Sequence, residues 1–137
     1  MAAVFPVDAE NMTANLLFKG ADANRGTNLK LGLFTNASFP VADNSVLLSH
    51  ITEVATGSGN PGYAAITMTP SDWTVTGSTA AAPVKTFTAS GAWADTVRGY
   101  FVATTGTTPK LLFFQADSAY TFVNGSAYDI TLNVSVS

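Results

Sequence analysis

The chain has no cysteine, a single histidine (His50) and few charges: Lys, Arg, Asp and Glu make up 11% of its 137 residues. Soluble domains usually carry roughly 25%. Each shortage removes a class of chemistry. Without cysteine there is no disulfide and no thiolate nucleophile. A zinc centre draws several ligands from Cys and His, so no metal is expected. One histidine leaves a Ser-His-Asp set arithmetically open, but "GYAAIT" and "TGSGNP" do not form a G-x-S-x-G elbow. No apolar run approaches the ~20 residues that cross a bilayer, so no membrane partner is expected. The six basic residues (Lys19, Arg25, Lys30, Lys85, Arg98, Lys110) are scattered in a chain of net charge −3. No cluster of them can neutralise a run of phosphates, so no nucleic acid is expected.

What is present is polar but uncharged. Nineteen threonines and eleven serines carry the surface, and aromatics reach 11%. Threonine suits strands, serine suits turns, and this aromatic content separates the chain from disordered ones. The length fits one domain with a buried core. The opening "MAAVFPVDAE" lacks the basic and apolar regions of a secretion signal, so any position outside a cell is expected to be reached without one.

Along the chain, "MAAVFPV" contains Pro6 and no helical period, which predicts an extended arm over residues 1–7. "DAENMTANLLFKG" predicts a short helix at about 8–19, with Asp8 as cap, Ala9, Met12 and Leu16 on one face, and Gly20 as terminator. From Leu29 onward the pattern is of strands. "LKLGLFT" puts Leu29, Leu31 and Leu33 on one face. "VLLSHITEVA" suggests a helical turn before a strand, and "TGSGNPG" a flexible loop. "YAAITM" and "WTVT" read as short strands broken by "TPSD", "GSTAAAP" as a connector and "VKTFTA" as another strand. "TVRGYFVATTG" and "KLLFFQA" are apolar on both sides, as central strands are. "VNGSA" supplies a turn, and "YDITLNVSVS" alternates without error, which predicts a last strand held inside a sheet. The fold expected is all-β: an antiparallel β-sandwich of jelly-roll type with about eight strands and one N-terminal helix, occupying residues 8–137 as a single domain.

Catalytic constellations are sparse. Asp72, Asp95, Asp117 and Asp129 fall in turns or on the wet phase of strands, where aspartate bonds local backbone, and nothing in their spacing pairs them. "GSGNPG" has no following Lys-Ser/Thr and opens no helix, so it is no phosphate cradle. "ADANRGTN" and "TGSGNPG" offer oxygens but no calcium-loop spacing. Asn11, Asn36, Asn124 and Asn133 head Asn-x-Ser/Thr triplets, which a chain this rich in Thr and Ser produces by chance. Neither enzyme activity nor a cofactor is expected. Trp73, Tyr63, Tyr100, Tyr120 and Tyr128 suit core packing, or a platform for sugar rings. Trp93, in the loop-like "SGAWAD", is open to either a core or a contact role.

Taken in order, "LKLGLFTN", "GYAAITM", "DWTVTG", "TFTASGAW", "TVRGYFVATTG", "LLFF" and "DITLNVSVS" resemble a group of small virion proteins of tailed bacteriophages, including phages of cyanobacteria. The resemblance runs from about Leu29 to Ser137. It implies a structural component of the particle, first of all a capsid decoration (cement) protein. A tail-fibre or baseplate component, or a glycan-binding adhesin, is the alternative. It further implies assembly in the host cytoplasm, a place on the capsid surface, the major capsid protein as partner and self-association, as a trimer. The contact residues expected are Val4, Phe5 and Pro6 of the arm, together with Trp93.

Overall fold

The computed structural model describes residues 7–20 and 25–136. Its order is a helix, α1 (Val7–Lys19), then β1 (Leu29–Phe34), β2 (Ile66–Met68), β3 (Thr74–Thr76), β4 (Thr79–Thr88), β5 (Thr96–Thr104), β6 (Leu111–Thr121) and β7 (Ala127–Ser135). Two antiparallel sheets face each other, ordered β2-β1-β5-β6 and β3-β4-β7. The all-β sandwich with one short helix is as expected. Seven strands are described rather than about eight, and the four-plus-three division does not reproduce the paired four-stranded sheets of a jelly roll.

α1 begins at Val7, so the last residue of the expected arm is helical and Asp8 lies within the first turn rather than before it. Residues 1–6 of that arm, Val4, Phe5 and Pro6 among them, lie outside the described residues. The buried stripe of the helix also differs from expectation. Leu16 is 64% exposed, while Ala14 and Phe18 are buried with Leu17 packed beside them. Phe18 decides this: its ring meets Trp73 at 4.5 Å and Phe113 at 6.3 Å, a larger apolar contact than a Leu16-centred face offers.

Leu29, Leu31 and Leu33 share the inner face of β1, opposite Trp73, Phe87, Ile130 and Leu132, so the alternating residues of both sheets make one core. The chain changes sheet at the single turn Pro70–Asp72, within "TPSD". It changes again between β4 and β5, and a third time between β6 and β7, where Gly125 (φ 82°) turns the chain. The Asn-Gly signal therefore marks a real turn, but one that joins strands of different sheets. "GSTAAAP" is not a connector: Thr79 to Pro83 form the first half of β4, and Pro83 is accommodated where the register against β7 slips between Ala82 and Lys85.

Two strands sit elsewhere than the pattern suggests. β6 is an edge strand, although "LLFF" is apolar on both sides. Leu112 and Phe113 face the core between the sheets, whereas Leu111 and Phe114 join a second cluster on the outer face, with Phe34, Phe101 and Ala103. Residues 35–53 fold back over that outer face and place Phe39, Leu48 and Ile51 on it. The double apolar pattern thus reports cover from the chain's own excursion, not strands on both sides. Among the described residues β7 also lies at an edge, paired with β4 alone. Its alternation holds: Ile130 and Leu132 are buried, and Asp129, Thr131, Asn133 and Ser135 are exposed.

The outer cluster is built on a cross-strand exchange. Gly32 pairs with Phe101, and Phe34 with Gly99. Each ring lies over the glycine opposite, so that a Cβ on Gly32 would sit 2.6 Å from the Phe101 ring and one on Gly99 would sit 2.5 Å from Phe34 Cζ.

Candidate functional site

Residues 35–53 cross the outer face of the four-stranded sheet as a strap held by side-chain bonds. Asn36 ties it at both sides: its Nδ2 donates to the His50 carbonyl (2.9 Å) and its Oδ1 accepts from Thr52 N–H (2.7 Å). His50 ends a single turn, Leu48–His50, and its Nδ1 accepts from Leu47 N–H at 3.1 Å, a local capping role. Glu53 bridges Phe34 on β1 and forms an ion pair with Lys30. Its Oε1 accepts from the Tyr63 hydroxyl at 2.8 Å, and burial, helped by the Glu53 charge, raises that phenol above its usual range.

Around this strap lie three depressions. One of about 370 Å³ has Phe101, Ala103, Leu48 and Ile51 as its apolar lining and the Lys30–Glu53 pair at its wall. A second, about 740 Å³, runs between Phe39, Val41 and the Phe114–Ala116 stretch of β6. A third, about 220 Å³, lies between Leu47 and Lys110. Two large apolar side chains stand out beside them, Leu47 at 60% and Val41 at 37% exposure. Hollows of mixed lining with aliphatic side chains projecting beside them give this face an uneven, partly apolar surface that a protein partner can fill.

Trp93 is not a surface residue. It is 5% exposed, stacks on Phe122 at 3.9 Å and 13°, and donates from Nε1 to the Pro61 carbonyl at 2.8 Å. "SGAWAD" is a loop, as read, but it turns inward because it is clamped to the loop expected to be flexible. Asn60, 3% exposed, donates to Asp95 Oδ2 (2.9 Å) and to the Ala55 carbonyl (2.9 Å), and its Oδ1 accepts from Asp95 N–H (3.0 Å). Nothing in "TGSGNPG" distinguishes an asparagine that exits to water from one that locks two loops, since the partner is 35 residues away.

The four aspartates stay apart, each with its own partner. Asp72 accepts from Lys85 (2.9 Å), Asp95 from Asn60, Asp117 from the Tyr128 hydroxyl (2.6 Å) and Asp129 from Thr86 (2.6 Å). Among the described residues, no three His, Asp or Glu side chains gather as metal ligands would. Tyr128, half-buried at the β6–β7 side, has its phenol raised by burial first and by Asp117 second. Tyr120 stands beside it at 5.7 Å, 36% exposed, the aromatic that projects most among the large apolar side chains of the described residues.

The Lys85 bond holds the Asp72 carboxyl below its ordinary value of 3.8, against a smaller opposing effect of burial, and the Thr69 bonds add to it. The Tyr128 and Ser118 bonds lower Asp117 likewise. A carboxylate depressed in the folded state stabilises the fold above its unfolded pKa, and that contribution disappears as pH falls through the folded value. Denaturation midpoints should therefore drop between about pH 5 and about pH 2. Asp72→Asn should be less stable than the native chain near neutrality and converge with it at the acid end. Parallel curves over that range would show that the Lys85–Asp72 pair is not formed.

No protein-family model matches the chain, and neither a curated protein nor a solved structure does.

Proposed function

We propose that this chain is a virion structural protein of a tailed bacteriophage, a capsid decoration protein that binds the outer shell and bridges neighbouring copies of the major capsid protein. The order of its strand motifs supports this reading. The structural observation that carries it is the outer face of the β2-β1-β5-β6 sheet, where Leu47 and Val41 project beside hollows of mixed polar and apolar lining, the one next to Phe101 being mainly apolar. Such a protein acts by adhesion, without catalysis or cofactor. Every copy that binds only the assembled shell stabilises that shell by mass action. Apolar, weakly charged contact surface is what a subunit seated between others requires. Assembly would take place in the host cytoplasm, with the protein ending on the capsid surface.

The adhesin alternative loses its best residue, because a Trp93 buried against Phe122 offers no ring to a sugar. Copy number and place separate decoration from tail roles. Quantitative mass spectrometry of purified particles should give a copy number comparable to that of the major capsid protein, and a label on this chain should image over the head. Leu47→Asp should fold normally and fail to rebind shells stripped of the protein. A few copies per particle, with label on the tail, would reject the decoration role.

A further inference from the structure

We infer that the free edge of β7 is a self-association site, at which two copies of this chain pair antiparallel about a two-fold axis at Thr131. The inference does not depend on the role proposed above.

Among the described residues the sandwich has four edge strands: β2 and β6 in one sheet, β3 and β7 in the other. Unpaired edges are templates for another strand, and proteins blunt them by shortness, bulges or charge. β2 and β3 have three residues each. β6 is broken twice, for Ala116 to Tyr120 spans only Gly99 to Val97 of β5, and Phe113 to Leu111 spans only Val102 to Ala103. Asp117 adds a charge in the wider of these bulges. β7 has none of these devices. The slip against β4 sets Ala82 to Lys85 against Leu132 to Ile130, so the extra residue belongs to β4. β7 itself runs regularly over Ala127–Ser135, without proline or lysine, and its single charge is Asp129.

Backbone parity then limits the register. Val136 N–H donates to the Ser78 carbonyl and Ala89 N–H to the Ser126 carbonyl, both at 2.9 Å. Even-numbered residues of β7 thus turn their backbone groups to β4. Ala127, Asp129, Thr131, Asn133 and Ser135 turn theirs to the open edge. An antiparallel partner must bond odd residues to odd residues. With Thr131 opposite Thr131 of the second copy, Asp129 meets Asn133 on the exposed face and Ile130 meets Leu132 on the core side. The exposed faces stay together, and so do the dry ones. Thr86 occupies Oδ1 of Asp129 at 2.6 Å, which leaves Oδ2 to accept from the Asn133 amide. Centring the pair on Asp129 instead would oppose two like charges, which is unfavourable. Tyr128 and Val134, half-buried at this edge, gain cover from the same pairing. The contact is isologous and closes after two copies, so it stands in place of the trimer that a shell role suggests.

Light scattering coupled to size-exclusion chromatography of the full chain should give a dimer. Thr131→Pro should give a folded monomer with an unchanged thermal transition once dissociation is allowed for, because the N–H it removes points away from β4. Asn133→Asp places like charges opposite each other twice per dimer and should weaken dimerisation about tenfold or more. Adding Asp129→Asn to that variant should restore it. If Thr131→Pro fails to fold, the Asn133 and Asp129 variants decide alone. A native monomer or trimer, a folded Thr131→Pro that remains dimeric, or a double variant without recovery would each overturn the site.

Discussion

Trp93→Ala is expected to lower the free energy of unfolding by about 4 kcal/mol, within the range for removing a buried tryptophan. The residue is 5% exposed and lies between two rings, stacked on Phe122 at 3.9 Å and edge-on to Tyr63 at 5.5 Å. Aromatic contacts of this kind add about 0.5–1.5 kcal/mol to area burial. The indole N–H also satisfies the Pro61 carbonyl, which belongs to the loop that Asn60 locks. Truncation therefore opens a cavity and frees a loop together. Since whole domains have only about 5–15 kcal/mol of stability, the alanine variant is expected to be partly unfolded at moderate temperature. Trp93→Phe keeps the stack and loses the hydrogen bond, so a smaller loss of about 1–2 kcal/mol is expected. Urea denaturation with linear extrapolation measures both. An alanine variant as stable as the native chain would show that the ring is not part of the core.

Gly99→Ala is expected to cost about 3 kcal/mol, comparable to severe overpacking plus backbone strain. The Cβ would lie 2.2 Å from the Gln115 carbonyl oxygen and 2.5 Å from Phe34 Cζ, at a φ of 154°. Gln115 is paired directly with Tyr100 on the neighbouring strand, so its carbonyl cannot move without breaking the β5–β6 ladder. Gly32→Ala is the informative comparison. Its closest clash is with the Phe101 ring at 2.6 Å, with Glu53 Oε1 next at 3.1 Å, and side chains can shift away where a paired carbonyl cannot. The loss should therefore be smaller at Gly32 than at Gly99, and equal losses would contradict the reciprocal glycine–phenylalanine packing. Because this packing supports residues 35–53, Gly99→Ala should also weaken attachment to shells if that face is the contact surface.

The strands were legible wherever alternation met a single buried face. β7 and the inner-face leucines of β1 follow their residue patterns because period two reports which side of a pleat is dry, and β5, apolar on both sides, is central as its pattern implies; both are local properties. The helix was legible in extent to within one residue, but its buried side was not. Choosing between Leu16 and Phe18 depends on Trp73, which reaches the helix only after the chain has changed sheets. The candidate surface was less legible still. Leu47 and Val41 look like any apolar residues in a loop, and their exposure follows from how the strap crosses Phe34 and Phe101.

Composition and periodicity alone determined an all-β sandwich with little charge, since those properties are sums over residues or repeats between neighbours. Tertiary structure decided which strands are edges, that the apolar double face of "LLFF" is covered by the chain's own excursion, and that Trp93 turns inward. Each of these depends on a contact between residues far apart in the chain, and sequence spacing carries no direct record of such a contact. The terminal strand joins both halves: its alternation is written in ten consecutive residues, while its open edge appears only once β4 has taken the other side.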